Sequence, residues 1–301
     1  QAKRERRADC AGARAWQQFE AAAESGESPY LKAKGVESDA GLRFQPDGTL
    51  LVPMIRFDVP LEARADPDYQ GPRRLAGLQK IAPDGAKRYS GGMAKEGCAM
   101  RLGPEPAAGV PIGIAEGLAT ALSIRQACGR ARTIYVAFDA GNLAPVARIL
   151  RRLHPASALV FFADDDAYLE AYVSKRMRDD YGAREPFATW SSAHLYAAGD
   201  GDLEVLGERD KDADGVEVLT GLFRLIAPEG AIRSRTFAML NAGRVKAHSS
   251  AREAGNAAVC FPQFAARKLH ADPEARRFTD FNDLHAAEGL AAVERQVAAA
   301  F

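Results

Sequence analysis

Three acidic residues stand together at Asp164-Asp165-Asp166, directly after the apolar run 158–163. Two earlier apolar runs also end in acid, 110–115 at Glu116 and 133–138 at Asp139. Side chains alternate along an extended chain, so Asp164 and Asp166 share one face while Asp165 points away. Two carboxylates on one face repel unless a proton or a cation lies between them. Mg²⁺, with Mn²⁺ as its substitute, is the expected cation, because it takes oxygen ligands and leaves places for phosphate oxygens and water. Glu116 is followed by Gly117, which permits a sharp turn and a close ligand approach. Asp139 suits a turn equally well, with Asn142 as a helix cap. The late element Asp280-Phe281-Asn282-Asp283 precedes a helical pattern over 284–300, where Asp283 suits an N-cap.

These acids need a scaffold, and the pattern around them supplies one. Short continuous apolar runs alternate with helical patterns over 118–128 and 143–153, and a fourth run covers 257–261. That grammar predicts an α/β fold with a parallel sheet covered on both faces. In such sheets the working site lies beyond the carboxyl ends of the strands. Residues 167 to about 231 are too long for one crossover and read as an insertion. Within it, 168–181 reads as helix, 188–196 and 203–206 as strands, and 216–226 as apolar at helical spacing. A helix over 233–255 then leads into the fourth run. Asp210-x-Asp212-x-Asp214-Gly215 mimics the start of a calcium loop, but its twelfth position is Gly221, so a solvated turn is expected.

Upstream, 1–25 reads as an Ala-rich helix whose basic start (Lys3, Arg4, Arg6, Arg7) is a solvated face. Ser28-Pro29 starts a short helix that stops at Gly35. Residues 41–101 read as short strands and turns. This segment carries the cations: Arg73, Arg74, Lys80, Lys87, Arg88, Lys95 and Arg101 stand against Asp84 and Glu96. Basic residues gathered ahead of a carboxylate cluster suit a polyanion, since phosphates need both metal and Lys or Arg.

The 301 residues suggest about two domains. A composition of 47% hydrophobic and 27% charged residues excludes a disordered chain or a coiled-coil rod. Lys plus Arg equals Asp plus Glu at 40 each, which excludes a uniformly basic coat but not a local patch. No apolar run is long enough for a membrane span. Cys10, Cys98, Cys128 and Cys260 form no C-x-x-C pair, which argues against a local zinc site and fits a reducing cytoplasm. The chain begins with Gln1, which suggests a fragment of a longer protein.

Glu116-Gly117-Leu118-Ala119-Thr120-Ala121, the Asp164-x-Asp166 strand end and the late acidic motif together resemble the Toprim domain of bacterial primases, topoisomerases and related nucleases. The chain is more closely similar to primases of plasmids, integrative elements and phages, whose E-G-[YFL]-A-T-[AG] signature the first stretch matches. Ser28-Pro29-Tyr30-Leu31-Lys32-Ala33-Lys34-Gly35, the stretch from Val136 through Asp139 to Leu143, and Asp280 through His285 also resemble that group. The resemblance begins at about residue 28, after an N-terminal helix segment over 1–27, and implies a small α+β basic subdomain over 28–108 and a Toprim catalytic domain over 109–301 with the insertion. It implies a parallel four-stranded sheet flanked by helices. It makes Glu116 the acid/base carboxylate, Asp164 and Asp166 the metal ligands, and Asp280 and Asp283 secondary acidic positions. Lys80, Lys87, Arg88 and Lys95 fall in the phosphate-facing run of the basic subdomain, with Asp139, Gly117 and Asn142 as further candidates. The zinc module of replicative primases and a helicase phosphate loop have no counterpart here, so a partner or another part of a longer chain would supply them.

The expected activity is a DNA-directed RNA polymerase, a nucleotidyltransferase that joins nucleoside triphosphates on single-stranded DNA. A metal-dependent Toprim nuclease and a non-catalytic single-strand-binding module are the alternatives. A topoisomerase would need a tyrosine-bearing module for which the chain has no room.

Overall fold

The computed structural model describes residues 2–60, 74–265, 267–275 and 278–301, so Arg73 lies outside the described residues. In chain order the elements are α1 (Ala2–Ala21), α2 (Pro29–Lys34), β1 (Arg43–Phe44), β2 (Leu50–Arg56), β3 (Leu75–Ile81), β4 (Lys87–Tyr89) and β5 (Cys98–Leu102). Then come β6 (Ile112–Ala115), α3 (Leu118–Ala127), β7 (Ile134–Val136), α4 (Leu143–Leu153) and β8 (Leu159–Phe162). After them follow α5 (Leu169–Tyr181), β9 (Leu195–Ala198), β10 (Gly201–Lys211), β11 (Glu217–Ile226) and β12 (Ile232–Leu240). The chain closes with α6 (Ala242–Ala254), β13 (Ala257–Cys260), α7 (Phe281–Glu288) and α8 (Leu290–Ala298). Packing divides it into two compact units. Unit 1 holds Gln1–Ala163, Ser249–Gln263 and Asp280–Phe301, and unit 2 holds Asp164–His248 and Phe264–Thr279. The expected segments 1–27 and 28–108 fall in unit 1 together with 109–163.

Unit 1 is a mixed α/β layer structure built on a sheet of order β13-β8-β6-β7-β5-β2-β3-β4, with β1 on β2. The four strands from β13 to β7 are mutually parallel, as their continuous apolar sequences require. Ile112, Ile114, Tyr135, Val136, Phe161 and Phe162 are completely buried in it. From β7 outward the pairing is antiparallel, through β5, β2, β3 and β4. α1 lays Ala15 and Phe19 on Leu51, Leu75 and Leu78.

One buried amide links the two halves of this sheet. Asn142 accepts a hydrogen bond from the Gly97 N–H at 2.8 Å. It donates to the Cys98 carbonyl at 2.8 Å and the Ala137 carbonyl at 2.7 Å. The start of the antiparallel strand β5 is thereby tied to the exit of the parallel strand β7. The expectation of a helix cap at Asn142 is corrected: its side chain makes no cap bond to α4. Asp139 does the capping, accepting from the Asn142 N–H at 3.1 Å over the 3-10 turn Ala140–Asn142.

The helix expected over 284–300 is two helices that begin earlier. Asp280, not Asp283, caps α7 by accepting from the Asp283 N–H at 2.7 Å, and Gly289, at φ 82°, separates α7 from α8.

In unit 2, α5 packs on a four-stranded antiparallel sheet of order β12-β11-β10-β9, around Val173, Met177, Leu203, Phe223 and Phe237. Residues 216–226 are therefore strand, not helix. Leu219 and Phe223 are four apart, and four residues return to the same face in a strand as well as in a helix. The informative residues were glycines. Gly207 and Gly221 face each other across β10 and β11, where an added Cβ at Gly221 would meet the Leu206 carbonyl oxygen at 2.2 Å. Likewise 233–255 is β12 followed by α6, and the strand expected over 188–196 is confined to β9. The aspartate-rich segment is the turn between β10 and β11, where Asp212 Oδ1 accepts from the Asp214 and Val216 N–H groups at 2.9 Å each.

Asp165 is the ionic centre of unit 2. Arg244 Nε donates to it at 2.6 Å, Arg267 lies at 2.8 Å, and the Asn241 amide donates at 2.6 Å. Burial pushes its carboxyl up. The Arg244 hydrogen bond, the Arg244 and Arg267 charges and Asn241 outweigh burial and hold it below the ordinary aspartate value.

Two outcomes follow from these buried groups. Asn142→Ala leaves a buried N–H and two carbonyls without partners, at about 1–3 kcal/mol for each such group. Urea unfolding followed by the fluorescence of Trp16, in a Trp190→Phe background, should show unit 1 destabilised by at least about 3 kcal/mol. Asp165 is ionised in the folded state to a lower pH than in the unfolded chain. Its stabilisation is thus complete above the unfolded aspartate value of about 3.9 and lost as pH falls through the folded value. Asp165→Asn, read by Trp190 fluorescence in a Trp16→Phe background, should cost unit 2 about 2 kcal/mol near pH 7. The variant's stability should also fall less steeply below pH 4 than that of the parent.

Candidate active site

The carboxyl ends of three parallel strands are level in unit 1. Ala115 of β6 is in register with Val136 of β7 on one side and with Phe162 of β8 on the other. Glu116 is the next residue after Ala115 and is buried, with 8% of its surface exposed. Gly117 then starts α3 with an extended backbone (φ −107°, ψ 153°), which any residue adopts. The expected sharp turn is absent, and an added Cβ would meet only Thr120 Oγ1 at 3.6 Å, an ordinary contact.

At the end of β7 the backbone is strained. Phe138 has φ 73°, a left-handed conformation costing about 1–3 kcal/mol for a residue with a side chain. The Tyr89 hydroxyl donates to its carbonyl at 3.4 Å, and the Gln79 amide donates to the Tyr89 oxygen at 3.2 Å. Asp139 follows and forms an ion pair with Lys95, whose ammonium also stands 5.1 Å from the centre of the Tyr89 ring. The hydrogen bond to Asp139 raises the Lys95 ammonium above its ordinary value. Asp139 thus both caps a turn and holds a cation, and Tyr89 is a participant that sequence reading missed.

Three of the quoted motif stretches pack together. Asn282 on α7 donates to the Lys34 carbonyl of α2 at 2.8 Å and to Ser123 Oγ of α3 at 3.1 Å. Ser123 Oγ lies 3.1 Å from His285 Nδ1. Burial, the Asp283 charge and weaker opposing contacts from Lys34 and Thr120 leave the Asp280 carboxyl raised. Burial, with the Asp280 charge, pushes the Tyr30 hydroxyl up to about 12. Asp280 and Asp283 are brought together by the cap of α7, which is a structural bond in its own right.

The basic segment lies on β3, β4 and the loop after them. Lys80 pairs across to Arg88, and the three residues of β4, including Lys87 and Arg88, are exposed. Lys87 stands 5.8 Å from the centre of the Tyr30 ring. Arg74 and Arg101 are engaged elsewhere, Arg74 with the Val59 carbonyl at 2.6 Å and Arg101 with Glu105.

In unit 2 the acidic run divides as alternation predicts, although no strand extends through it. Asp165 is buried among arginines while Asp164 and Asp166 are half-buried. Their backbone rests on the start of α6. The Asp166 N–H donates to Asn241 Oδ1 at 3.0 Å, and the same oxygen accepts from the Arg244 N–H at 3.2 Å as the cap of α6. An added Cβ at Gly243 would meet the Asp164 carbonyl oxygen at 2.2 Å, so only glycine fits there. Asn241 ahead of a helical pattern was a readable cap signal. Arg267 carried no signal.

The donor chemistry of Asp164 and Asp166, carboxylate oxygen only, suits a hard divalent cation. Among the described residues no group of three or more His, Cys, Asp or Glu side chains is arranged to hold a metal ion, so phosphate oxygens and water would have to complete the shell. No helix among the described residues is long and apolar enough to cross a membrane.

No family model matches the chain. It is 32% identical over 144 residues to a DNA primase TraC of Escherichia coli, an alignment covering 47% of this chain and 9% of that protein. A second DNA primase TraC of Escherichia coli is 32% identical over 145 residues, 48% of this chain and 12% of that protein. The chain thus matches about a tenth of the length of these curated relatives. Among solved structures, the primase fragment of the bacteriophage T7 primase-helicase protein aligns with 89% of this chain and 69% of its own, at a TM-score of 0.40 and 9% identity, too low to bear on the fold.

Proposed function

We propose that this chain is the catalytic core of a DNA primase of the Toprim type, carried on a plasmid or another mobile element. The observation that carries the reading is in unit 1. A buried glutamate follows β6, at the end where β7 leads into Asp139 and its lysine partner. The likeness of half the chain to two proteins named DNA primase supports it.

In this reading a 3′-hydroxyl attacks the α-phosphorus of a nucleoside triphosphate paired to single-stranded DNA. One oxygen–phosphorus bond forms, the bond to the β-phosphate breaks, and pyrophosphate leaves. Glu116 takes the role of proton acceptor for the attacking hydroxyl. In unit 2, Asp164 and Asp166 would hold Mg²⁺ or Mn²⁺; in unit 1, Glu116, Asp280 and Asp283 are further acidic positions. A divalent cation there would neutralise and orient the phosphates. Lys80, Lys87 and Arg88 hold triphosphate or template backbone as fixed cations, and Asp139 keeps Lys95 extended for the same purpose. Recognition of an initiation site falls to a zinc module or helicase outside this chain.

Extension of an annealed oligoribonucleotide on single-stranded DNA, with labelled nucleoside triphosphates and Mg²⁺, tests the reading without requiring initiation. Longer oligoribonucleotides are expected. Shortened DNA would assign the carboxylates to hydrolysis, and no product from the folded chain would leave a binding module. Glu116→Gln, Asp164→Ala and Asp166→Ala should each lower extension at least about a hundredfold, roughly 2.7 kcal/mol of transition-state stabilisation. Folded variants with near-parental rates would defeat the assigned roles. Lys87→Ala with Arg88→Ala should weaken template or nucleotide binding alike for all sequences. The salt dependence should become shallower, by about 0.7 in log–log slope for each template phosphate no longer neutralised. A changed sequence preference at constant slope would contradict phosphate binding.

A further inference from the structure

The basic start of α1, expected to be a solvated face, lines a groove. The buried side of α1 is fixed on β3 through Ala15 and Phe19. On its other sides Lys3, Arg4, Arg6, Arg7 and Arg14 are exposed. Four clefts in succession share their lining residues. The first lies between Arg14 and Lys80 and shares Arg14 and Gly91 with the second. The second shares Lys3, Arg7 and Gly92 with the third. The third shares Arg4, Met93 and Ala94 with the last, a cleft of about 1010 Å³ that reaches Lys95, Arg148 and Arg152. They form one groove, with α1 as one wall and the segment 90–97 as the other.

Its charge is lopsided. The cations at its far end are partly neutralised: Arg56 pairs with Asp58 at 2.7 Å, Arg148 with Glu253 at 2.9 Å, and Lys95 with Asp139. Among the described residues, Lys3, Arg4, Arg6 and Arg7 form no ion pair. Across from them Gly91 is exposed, with nothing within 4 Å of an added Cβ, so a ligand can come up to the backbone. Arg14 donates to the Gly91 carbonyl at 3.4 Å and closes the groove on that side. From Arg4 to Arg14 the helix advances about 15 Å, long enough to follow more than one phosphate of a strand.

We propose that this groove is the track for the sugar–phosphate backbone of single-stranded DNA, with the arginines of α1 as its main sequence-independent contacts. The groove ends at Lys95, beside the carboxyl end of β7, and so leads a strand toward the candidate active site. That the strand is a template rests on the primase reading. That the groove takes a phosphate backbone rests on charge and shape alone.

The test is binding of fluorescein-labelled oligo(dT), about 20 nucleotides long, across about 50–300 mM KCl. Arg4→Ala, Arg6→Ala and Arg7→Ala are combined in one variant, since alanine preserves the helix and the sites lie off its buried face. Its dissociation constant should rise at least about tenfold near 0.1 M salt, and the log–log slope should fall by about 2, at roughly 0.7 per neutralised phosphate. The triple Arg→Lys variant keeps the charge and should bind within about threefold of the parent, with its slope retained. A parental slope in the alanine variant, or equal loss in the lysine variant, would overturn the proposal, as would tighter binding of the parent to duplex DNA of the same length. Primer extension by the parent is measured alongside. A chain that extends primers while the alanine variant binds normally defeats the groove alone. One that extends nothing, yet binds DNA weakly in the alanine variant, defeats the primase reading and leaves the groove standing.

Discussion

The Asn142 side chain satisfies three buried backbone groups at once, and those groups belong to the two halves of one sheet. An asparagine amide can do this because it carries a carbonyl acceptor and two donors in one plane. That junction reinforces the pairing of β5 with β7, where the antiparallel strands bearing the cations meet the parallel strands leading to Glu116 and Asp139. The Lys95–Asp139 ion pair depends on the same junction. Lys95 lies two residues before Gly97 and Asp139 two residues after Ala137, so each partner is anchored within two residues by the same amide. The left-handed Phe138 lies inside this bracket, where surrounding bonds hold a conformation that an isolated chain would abandon.

Much of unit 1 was legible because its strands are buried on both faces and their sequences are apolar without interruption. The runs ending at Glu116, Asp139 and Ala163 are β6, β7 and β8 with an extra residue or two at each end. The site was legible as positions but not as contacts. Lys95 with Asp139, and Asn282 with Lys34 and Ser123, join residues 44 to 248 apart in the chain, and no local pattern encodes such pairs. The sharp turn expected at Gly117 is absent, since its backbone is extended. Unit 2 was misread where the local signal is ambiguous. An apolar spacing of four serves helix and strand alike, and only the facing glycines at 207 and 221 distinguish them.

The acidic run of unit 2 shows how one tripeptide divides its labour. Asp165 spends its charge on Arg244 and Arg267, and so fixes the backbone on which Asp164 and Asp166 stand. Asn241 and Gly243 complete the support, one by hydrogen bonding and one by having no side chain. The placement of the two flanking carboxylates is thus set by neighbours whose contribution is invisible in a motif that records only carboxylates.

The pairing of β8 with β13 has a consequence for how this chain tolerates change in size. The two strands are neighbours in the parallel sheet, yet 94 residues separate the end of one from the start of the other (163–256), and most of unit 2 lies between them. Closing a longer connection between two points already held together costs only about 0.6 kcal/mol for each doubling of length. The β8–β13 crossover is therefore a splice point. Segments can be gained or lost there without reordering a strand, and differences in length between this chain and its relatives should collect at that junction rather than in the connections from β6 to β8.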